Sequence, residues 1–361
     1  MSSLKKILAW LLAGLGFMLI LLLSLVWLTT FHPAGVQAET VSCADQAPQL
    51  KPGQTIKVLT YNVQYMAGKN YIFFYDLPGN NGPDERPAPE DISKTLAEAA
   101  RVIQAEDPDI ILLQEVDDGA ARTDYEDQLA RLLRLLSPEY TCHTSAFYWR
   151  AAFVPHPRIR GAVGQKLSII SKYRLKDSTR YQLPLADANP LSQLFNYKRA
   201  ILETRLPVEG SQDLVVLTTH LEVSSQGAAV KQQELIAIQE RLTSLNQAGY
   251  LWLLGGDFNL LPPGQISRLP AAHQPGFRPQ TELAVLLDRY QVIPNLAHLQ
   301  GDDAAKWFTM FPNDPLITGP DRTVDYIFFA GNLRVGHSYV RQHDTLAISD
   351  HLPLVAEFSL P

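Results

Sequence analysis

The sequence lacks the excess of positive charge that is typical of proteins that coat nucleic acid. Its 361 residues carry a formal net charge of −6 at pH 7, whereas a protein that neutralises many backbone phosphates is usually basic. The composition therefore argues against a high-affinity DNA-packaging protein. It does not exclude a metal-dependent nuclease, because a bound cation supplies positive charge locally.

Cysteine is also scarce, and only Cys43 and Cys142 are present. They can form one disulfide in an oxidising compartment, and two unpaired thiols are the alternative. The charged fraction of 19% and the hydrophobic fraction of 46% are those of a globular protein. Because a chain of this length can bury a large core, its stability should not depend on a disulfide or a metal.

Charge is absent from a long apolar run near the N-terminus, between Ile7 and Leu28. As a helix this run would span roughly 33 Å, enough for the hydrocarbon core of a bilayer, which is about 30 Å thick. Lys5 and Lys6 precede the run, and the next charged residue is Glu39. This asymmetry predicts a cytoplasmic N-terminus and an extracytoplasmic remainder.

The run divides the chain into a cytoplasmic stub at 1–6, a transmembrane signal-anchor at 7–28, a polar linker at 29–54 and one domain at 55–361. A cleavable signal peptide is the alternative, with Val36-Gln37-Ala38 as the cleavage site. Its apolar region would be unusually long, since about 7 to 15 residues are usual, and this favours the uncleaved anchor. Both interpretations export the domain, and neither implies a protein partner.

Short apolar runs of strand type are interspersed with helical stretches in the predicted domain. The predicted strands are Ile56–Tyr61, Asp109–Leu113, Leu167–Ser171, Ala200–Arg205, Leu214–Thr219, Leu251–Leu254, Val324–Phe329 and Leu354–Phe358. The predicted helices are Ile92–Glu106, Tyr125–Leu136, Ala228–Asn246 and Glu282–Tyr290. These elements predict an α/β or α+β sandwich in which helices cover sheets.

Two stretches rich in aromatic residues, Gln64–Glu90 and Thr144–Gly161, are predicted to be long loops. Loops of this length are more often functional or disordered than inert. The alternative is that their aromatic side chains simply pack each loop onto the core.

Polar side chains repeatedly stand where an apolar strand ends or begins. They are Asn62, Glu115, His220, Asp257, Asn259, Asp325, Asp350 and His351. A sheet can bring such residues together at one edge, although they are far apart in the sequence. A carboxylate buried there without a partner would be costly, whereas acids, amides and imidazoles that converge on a cation are satisfied. The pattern predicts one acidic, cation-holding cleft.

The segments LTYNVQ, LLQEV, TTHLE, GGDFN, TVDYIFF and ISDH resemble, in this order, motifs of the endonuclease/exonuclease/phosphatase superfamily. That superfamily includes deoxyribonuclease I, abasic-site endonucleases, neutral sphingomyelinases and inositol-polyphosphate phosphatases. The resemblance covers roughly residues 55–361, and GGDFN with the terminal SDH is its most specific part. It implies an α/β (α+β) four-layer sandwich of two mixed sheets flanked by helices.

Glu115 is the first candidate metal ligand, because a hard cation such as Mg²⁺ prefers oxygen donors and keeps several waters. The resemblance implies that Asn62 and Asp350 complete or support this coordination. The structural alternatives are a salt-bridged surface Glu115 and a strand-end turn at Asn62. The expected cofactor is Mg²⁺, with Mn²⁺ as a second option.

The remaining candidates would carry out proton transfer and bind phosphate. Asp257 would accept a proton from the attacking water or hold a second metal, and Asn259 would orient the water or a phosphate oxygen; an Asx turn is the alternative for both. His351 would face the scissile phosphate, with Asp325 accepting a hydrogen bond from its other ring nitrogen, which favours the imidazolium. The resemblance implies that His220 is the general acid for the leaving oxygen.

The sequence shows no carboxylate partner for His220. Gly164–Leu167 occupies the stretch where the family places one but contains no acid, which leaves the acid mechanism open. Arg199 and Lys198 are candidates for contact with a substrate phosphate. Arg150, Arg158 and Arg160 are further candidates. For each of these cations, including Arg199 and Lys198, an exposed and structurally idle position is the alternative.

These residues predict a metal-dependent phosphodiester hydrolase that acts outside the cytoplasm on nucleic acid or a phospholipid headgroup. The tether, the aromatic loops and the acidic charge suit a lipid. An inositol-polyphosphate-type phosphomonoesterase is one alternative, but those relatives usually continue GD-x-N with Tyr-Arg, whereas this chain continues Leu260-Leu261-Pro262. The other alternative is a catalytically inactive, membrane-tethered binding module, which the intact polar set argues against.

Overall fold

The computed structural model describes residues 2–77, 79–223 and 228–361, and two seven-stranded sheets form the centre of the domain. The strands are β1 (Val36–Glu39), β2 (Val41–Cys43), β3 (Thr55–Asn62), β4 (Ile110–Asp117), β5 (Cys142–Val154), β6 (Gly161–Ser171), β7 (Ser178–Gln182), β8 (Ala200–Leu206), β9 (Leu214–His220), β10 (Leu251–Asp257), β11 (Gln291–Ile293), β12 (Asp325–Phe329), β13 (Arg334–Val340) and β14 (Leu354–Ser359). The α-helices are α1 (Ser2–Thr29), α2 (Pro89–Glu106), α3 (Gln128–Leu133), α4 (Pro190–Gln193), α5 (Ala228–Gln247), α6 (Ala284–Leu287) and α7 (Leu296–Gln300).

The strand order is β13-β14-β3-β4-β6-β5-β2 in the first sheet and β1-β7-β8-β9-β10-β12-β11 in the second. Each sheet contains one parallel pair, β3–β4 in the first and β9–β10 in the second, among antiparallel neighbours. Both sheets are therefore mixed, which confirms the predicted sandwich of two mixed sheets flanked by helices.

The two sheets pack face to face around one large apolar core. Leu112 of β4 and Leu254 of β10 are fully buried in it, and each such side chain contributes about 1.5–3 kcal/mol. α2 and α3 cover the first sheet through a separate cluster that includes Ile103 and Leu132. α5 packs against the second sheet through residues such as Leu235. The layers are therefore helix, sheet, sheet and helix.

The predicted loop at Thr144–Gly161 is wrong, because residues 144–154 belong to β5, which pairs with β6. The register of this hairpin shifts between Phe147 and Trp149 and again between Ala151 and Val154. Such bulges interrupt the period of two residues on which strand recognition depends.

Two predicted helices are shorter than expected. Tyr125–Leu136 contains only α3, because Tyr125 has a left-handed φ of 61° and the side chain of Asp127 caps the helix by accepting from Ala130 N at 3.1 Å. Glu282–Tyr290 contains only α6. The eight predicted strands and the helices at α2 and α5 are confirmed, with ends that differ by a few residues.

The N-terminal helix α1 is long and apolar enough to span a membrane, by length and composition. Residues that follow it, within the segment predicted as a linker, add edge strands to both sheets. β1 pairs with β7 and β2 pairs with β5. A disulfide joins Cys43 of β2 to Cys142 at the start of β5, so this segment is attached to the domain at several points.

Strands β3, β4, β9 and β10 all end at one side of the sandwich, which we call the polar edge. Their parallel pairing brings Asn62 at the end of β3 beside β4, and His220 at the end of β9 beside Asp257 at the end of β10. The buried amide of Gln114 connects the two sheets there. Its Nε2 donates to the hydroxyl of Thr218 at 2.9 Å.

Candidate active site

Glu115 enters the cleft through an irregularity in β4. The register of β4 against β6 shifts between Leu113 and Val116, and Glu115 has a left-handed φ of 58°. A bulge of this kind redirects a side chain, and the strained backbone costs on the order of 1–3 kcal/mol. The carboxylate of Glu115 consequently reaches the side chain of Asn62 at the end of β3.

Asn62 joins carboxylates that come from different sheets. Its Nδ2 donates to Glu115 Oε1 at 3.2 Å and to Asp257 Oδ2 at 3.1 Å. Its Oδ1 accepts from the backbone N of Gln64 at 3.0 Å, which fixes the orientation of the amide. In this orientation the amide nitrogen of Asn62, rather than its oxygen, faces the two acids.

The segment that precedes β14 carries Asp350 and His351, and hydrogen bonds attach it to the end of β3. Ser349 Oγ donates to the backbone O of Asn62 at 2.8 Å and accepts from His351 N at 3.1 Å. Asp350 N donates to Gln64 Oε1 at 3.2 Å. These bonds hold Asp350 half-buried and His351 buried at the polar edge.

The carboxylates at this edge fit a hard divalent cation. Burial, followed by the negative charge of Asp350, raises the pKa of Glu115 to about 7. Burial raises the pKa of Asp257 to about 6, although the nearby His351 opposes the rise. A cation bound by carboxylate oxygens would offset this accumulation of negative charge. Glu115 and Asp350 are the donors that suit it.

His351 and Asp325 form a buried pair. His351 Nδ1 lies 2.8 Å from Asp325 Oδ2, and its Nε2 lies 3.5 Å from Asp257 Oδ2. Burial lowers the pKa of His351, but the carboxylates of Asp325 and Asp257 outweigh it and hold the pKa well above its usual value. The side chain of Thr309 accepts from Asp325 N at 3.1 Å, which fixes the start of β12.

Asp257, Asp325 and His351 lie close enough together to hold a metal by distance alone. Metal ligation requires a neutral imidazole, whereas the two carboxylates favour the imidazolium of His351. The hydrogen bond to Asp325 also occupies Nδ1. We therefore interpret this cluster as a charge-paired group and assign cation binding to the neighbouring carboxylates.

His220 projects its free ring nitrogen into the same cleft. Its Nε2 lies 3.4 Å from Asp257 Oδ2 and 3.8 Å from Glu115 Oε1, and it has no hydrogen-bond partner among the described residues. Burial, aided by the positive charges of Arg199 and His351, holds the pKa of His220 well below its usual value. This setting favours a neutral imidazole in the cleft.

Tyr148 is a site residue that the sequence did not reveal. Its hydroxyl lies 3.2 Å from His220 Nδ1, and burial holds the pKa of Tyr148 well above its usual value. A hydroxyl that donates to Nδ1 leaves the proton of the neutral ring on Nε2; this tautomer is inferred from the contact. Tyr148 thus takes the place of a carboxylate partner for His220, and the run Phe147-Tyr148-Trp149 gives no signal of which ring faces the cleft.

Asp257 and Asn259 form an Asx turn, and they also line the cleft. Asn259 N donates to Asp257 Oδ1 at 2.9 Å, and Asn259 Nδ2 donates to Leu221 O at 3.1 Å. Position 256, just before Asp257, requires glycine. The backbone of Thr219 passes so close that a Cβ on Gly256 would lie 2.2 Å from the backbone O of Thr219. The turn fixes the position of the Asp257 carboxylate.

Arg199 lies behind His220. Its Nη1 donates to the backbone O of His220 at 3.4 Å, and its Cζ lies 4.4 Å from the ring centre of Tyr197. It also lines a cavity of about 200 Å³ with Glu222 and Glu234. The ammonium group of the neighbouring Lys198 donates to backbone oxygens of residues 193 and 196, so it is bound within the domain and does not point into the cleft as a free cation.

Comparisons with known proteins agree with this geometry. Residues 59–351 match the model of the endonuclease/exonuclease/phosphatase family. No curated protein matches the sequence. Among solved structures, a family member from Beutenbergia cavernae is 20% identical with a TM-score of 0.58, and the match covers 85% of this chain and 72% of that one.

Two further structures share the fold. The catalytic domain of human Nocturnin is 16% identical with a TM-score of 0.51, over 90% of this chain and 97% of that one. ANGEL2, a 2′,3′-cyclic phosphatase, is 15% identical with a TM-score of 0.53, over 89% and 98%. The sandwich, the matched residues and the cleft lead to one conclusion: the chain belongs to the endonuclease/exonuclease/phosphatase family.

Proposed function

We propose that the protein is a metal-dependent phosphodiester hydrolase whose domain acts outside the cytoplasm. One observation carries the proposal: a single oxygen, Asp257 Oδ2, lies within 3.1–3.5 Å of Asn62, His220 and His351. Four segments that are distant in the sequence supply these groups. Such convergence of acids and imidazoles suits the transfer of a phosphoryl group to water.

Asp257 is the proposed general base. A pKa of about 6 leaves its carboxylate ionised at neutral pH while it remains basic enough to accept a proton from water. The backbone N of Asn259 holds one oxygen of Asp257, so the other oxygen is directed into the cleft. Asn259 would orient the water or a phosphate oxygen beside it.

The two histidines would stabilise charge on the phosphate. His351, held as an imidazolium by Asp325, would bind the non-bridging oxygens, on which negative charge accumulates. Neutral His220 would donate from Nε2 to the leaving oxygen, and Tyr148 would orient its ring. Mg²⁺ or Mn²⁺, held by Glu115 and Asp350, would neutralise further charge on the phosphoryl group when bound.

The structures of relatives support a phosphate-binding cleft. The Nocturnin structure holds a sulfate anion, and the ANGEL2 structure holds adenosine-2′,3′-vanadate. We therefore expect a phosphate ester to bind between the two histidines and the carboxylates of this chain.

Two features support an extracytoplasmic domain anchored by α1. The disulfide between Cys43 and Cys142 is of a kind that persists in oxidising compartments. Cleavage after Ala38 would cut β1, in which Ala38 is paired with Thr179 of β7. Loss of three of the four residues of this edge strand would be disruptive, and this favours an uncleaved anchor over a signal peptide.

Hydrolysis of bis-p-nitrophenyl phosphate by Glu115→Gln tests the proposal. We expect wild-type turnover to require Mg²⁺ or Mn²⁺, to stop with a chelator, and to fall by at least about a hundredfold in the variant. Glu139→Gln, which changes an exposed acid, is the matched control and should retain activity. Undiminished turnover in Glu115→Gln would refute the proposed site.

The same assay separates the diesterase from the phosphatase alternative. We expect p-nitrophenyl phosphate, a monoester, to be a poorer substrate than the diester for the wild-type protein. Faster turnover of the monoester would favour the phosphomonoesterase. Absence of turnover on both substrates with either cation would favour an inactive binding module.

A further inference from the structure

The apolar helix α1 meets the domain without a free tether. Helix α1 ends at Thr29, and the next residue, Thr30, forms an antiparallel bridge with Ala151 of β5. The ring of Phe31 contacts that of Phe147 with centres 6.4 Å apart. Because one residue spans at most about 3.6 Å, the end of α1 stays beside the β5–β6 hairpin.

The direction of the chain shows which side of the sheet α1 approaches. After Thr30 the chain runs antiparallel to β5, so that Val41 pairs with Thr144 and Cys43 pairs with Cys142. The part of the chain before Thr30 therefore lies toward the tip of the β5–β6 hairpin, at 155–160. The helix α1 and this tip leave the sheet on the same side.

That side is the polar edge. β5 pairs antiparallel with β6, and β6 pairs antiparallel with β4, so β5 runs parallel to β3 and β4. The end of β5 that bears the hairpin tip therefore lies at the same edge as Asn62 and Glu115. Helix α1, the tip and the candidate active site share one side of the molecule.

The distance from the end of α1 to the cleft is short. Tyr148, whose hydroxyl contacts His220, precedes Ala151 by three residues, or about 10 Å along a strand. The headgroup layer on each side of a bilayer is about 5–8 Å thick. If α1 spans a membrane, the mouth of the cleft lies next to that layer.

The connections at this edge carry exposed apolar side chains. Phe153, two residues beyond Ala151, is 52% exposed, and Leu316 is 81% exposed in the connection that leads from Met310, itself bridged to His351. Val223 is exposed three residues after His220. Large apolar side chains exposed on one side of a domain suit contact with a membrane or a partner.

Arg150 and Arg160 add exposed positive charge to the same hairpin. Neither forms an ion pair within the described residues 2–77, 79–223 and 228–361. Arg158, by contrast, binds Glu85 at 2.9 Å and the backbone O of Gly82 at 2.9 Å, which fixes the tip against the preceding loop. Exposed arginines beside exposed apolar side chains suit the headgroup layer of a bilayer, where the cations meet phosphate and the apolar side chains are buried.

We propose that the polar edge faces the bilayer, that the β5–β6 hairpin rests in its headgroup layer, and that the substrate is the phosphodiester of a membrane phospholipid. This inference rests on the proposed hydrolase function and specifies its substrate class. In the reaction, the oxygen of water bonds to phosphorus and one ester P–O bond breaks. The water gives up a proton and the departing oxygen takes one up, which yields an alcohol and a phosphomonoester.

The position of the hairpin can be measured on the full chain in vesicles of equal parts phosphatidylcholine and phosphatidylglycerol. Both native cysteines are paired, so Phe153→Cys can carry one environment-sensitive fluorophore. Leu135→Cys is the matched control, because Leu135 is also exposed and apolar but precedes β5 at the opposite edge. We expect a lipid-borne nitroxide to quench only the label at 153, and equal quenching at both positions would overturn the inference.

The substrate class is tested in the same vesicles by release of headgroup, as the free alcohol or as its phosphomonoester, beside bis-p-nitrophenyl phosphate and plasmid DNA. We expect the wild-type chain to hydrolyse lipid and the soluble diester. Phe153→Ser should lower lipid turnover about tenfold, because it removes an apolar contact with the bilayer, and leave the soluble diester unchanged. No turnover of the soluble diester would mean that the proposed function fails.

Other outcomes bear on the substrate class alone. Turnover of the soluble diester without turnover of lipid would overturn the lipid assignment and leave the hydrolase function standing. Cleavage of plasmid DNA in place of lipid would assign the cleft to nucleic acid. An equal loss of lipid and soluble-diester turnover in Phe153→Ser would also contradict the proposal, because the effect would then lie in the domain and not at the membrane.

Discussion

At the level of single residues, the cleft holds two histidines in opposite charge states. The carboxylates of Asp325 and Asp257 stabilise the imidazolium of His351, whereas burial and Arg199 favour the neutral form of His220. One side chain can therefore bind negative charge and the other can donate a single, oriented hydrogen bond. Neighbouring groups, more than residue type, decide which chemistry each histidine performs.

We predict that Asp325→Asn shifts the pH dependence of catalysis. The pKa of His351 is raised in the folded protein, so its positive charge is complete below about pH 6.5 and is lost only as the pH rises through the raised value. Without the Asp325 charge, the basic limb of kcat/KM should move to lower pH, and the maximum rate should fall by about 10²-fold or more.

The pH–rate profile with bis-p-nitrophenyl phosphate measures this effect. Asp303→Asn is the matched control, because Asp303 is an exposed acid whose partner is the exposed Lys306. Its profile should coincide with that of the wild type. A lower rate in Asp325→Asn with an unmoved basic limb would contradict the electrostatic explanation and leave only a structural one.

We predict that Tyr148→Phe lowers kcat with little change in KM. The substitution keeps the buried ring but removes the hydroxyl that lies 3.2 Å from His220 Nδ1, so the ring of His220 loses its orienting bond. A loss of about tenfold is expected for one buried hydrogen bond. Tyr140→Phe is the control, because it removes a hydroxyl bonded to Pro108 O at the opposite edge and should leave kcat unchanged.

At the level of elements, the sequence was informative where apolar strands end in polar residues. Asn62, His220 and Asp257 close β3, β9 and β10. Parallel pairing aligns the ends of β9 and β10, and the packing of the two sheets brings Asn62 beside them. The sequence did not reveal two irregularities in the strands. One is the bulge in β4 that turns Glu115 into the cleft, and the other is the shifted register of β5 that positions Tyr148 beside His220. Both arise from backbone geometry, which depends on the neighbouring strand and leaves no periodic pattern in the sequence.

We predict that Gly256→Ala destabilises the junction of β9 and β10. An added Cβ would lie 2.2 Å from the backbone O of Thr219, so the two parallel strands would have to separate. Overpacking of this kind costs roughly 1–3 kcal/mol. Gly276→Ala, where no atom lies within 4 Å of the new Cβ, should change the free energy of unfolding by less than about 0.5 kcal/mol.

Urea unfolding monitored by circular dichroism compares the two glycine variants. Activity should fall with stability in Gly256→Ala, because the displaced strand ends in the proposed base Asp257. Equal unfolding midpoints for both variants would show that the close approach to Thr219 is relaxed at no measurable cost.

At the level of the whole molecule, the order of elements and the sandwich followed from the sequence, but the pairing of the N-terminal segment as edge strands did not. Residues 29–54 are polar and contain proline and glycine, which is typical of a linker. In the structure, β1 and β2 instead extend the edges of both sheets. Short edge strands of three or four residues are stabilised by the strand they join, so their own sequence carries little signal.

The disulfide provides a test of this attachment. It joins residues 99 positions apart. Closing a loop of about 100 residues lowers the entropy of the unfolded chain, which stabilises the folded state by up to about 4.7 kcal/mol if the effect is purely entropic. We therefore predict that Cys43→Ser/Cys142→Ser lowers the free energy of unfolding by about 2–5 kcal/mol in detergent solution. Reductant should produce the same loss in the wild type and no further loss in the double variant. If the double variant unfolds at the wild-type urea concentration, β2 is held by its pairing with β5 alone, and the bond contributes nothing to joining α1 to the sandwich.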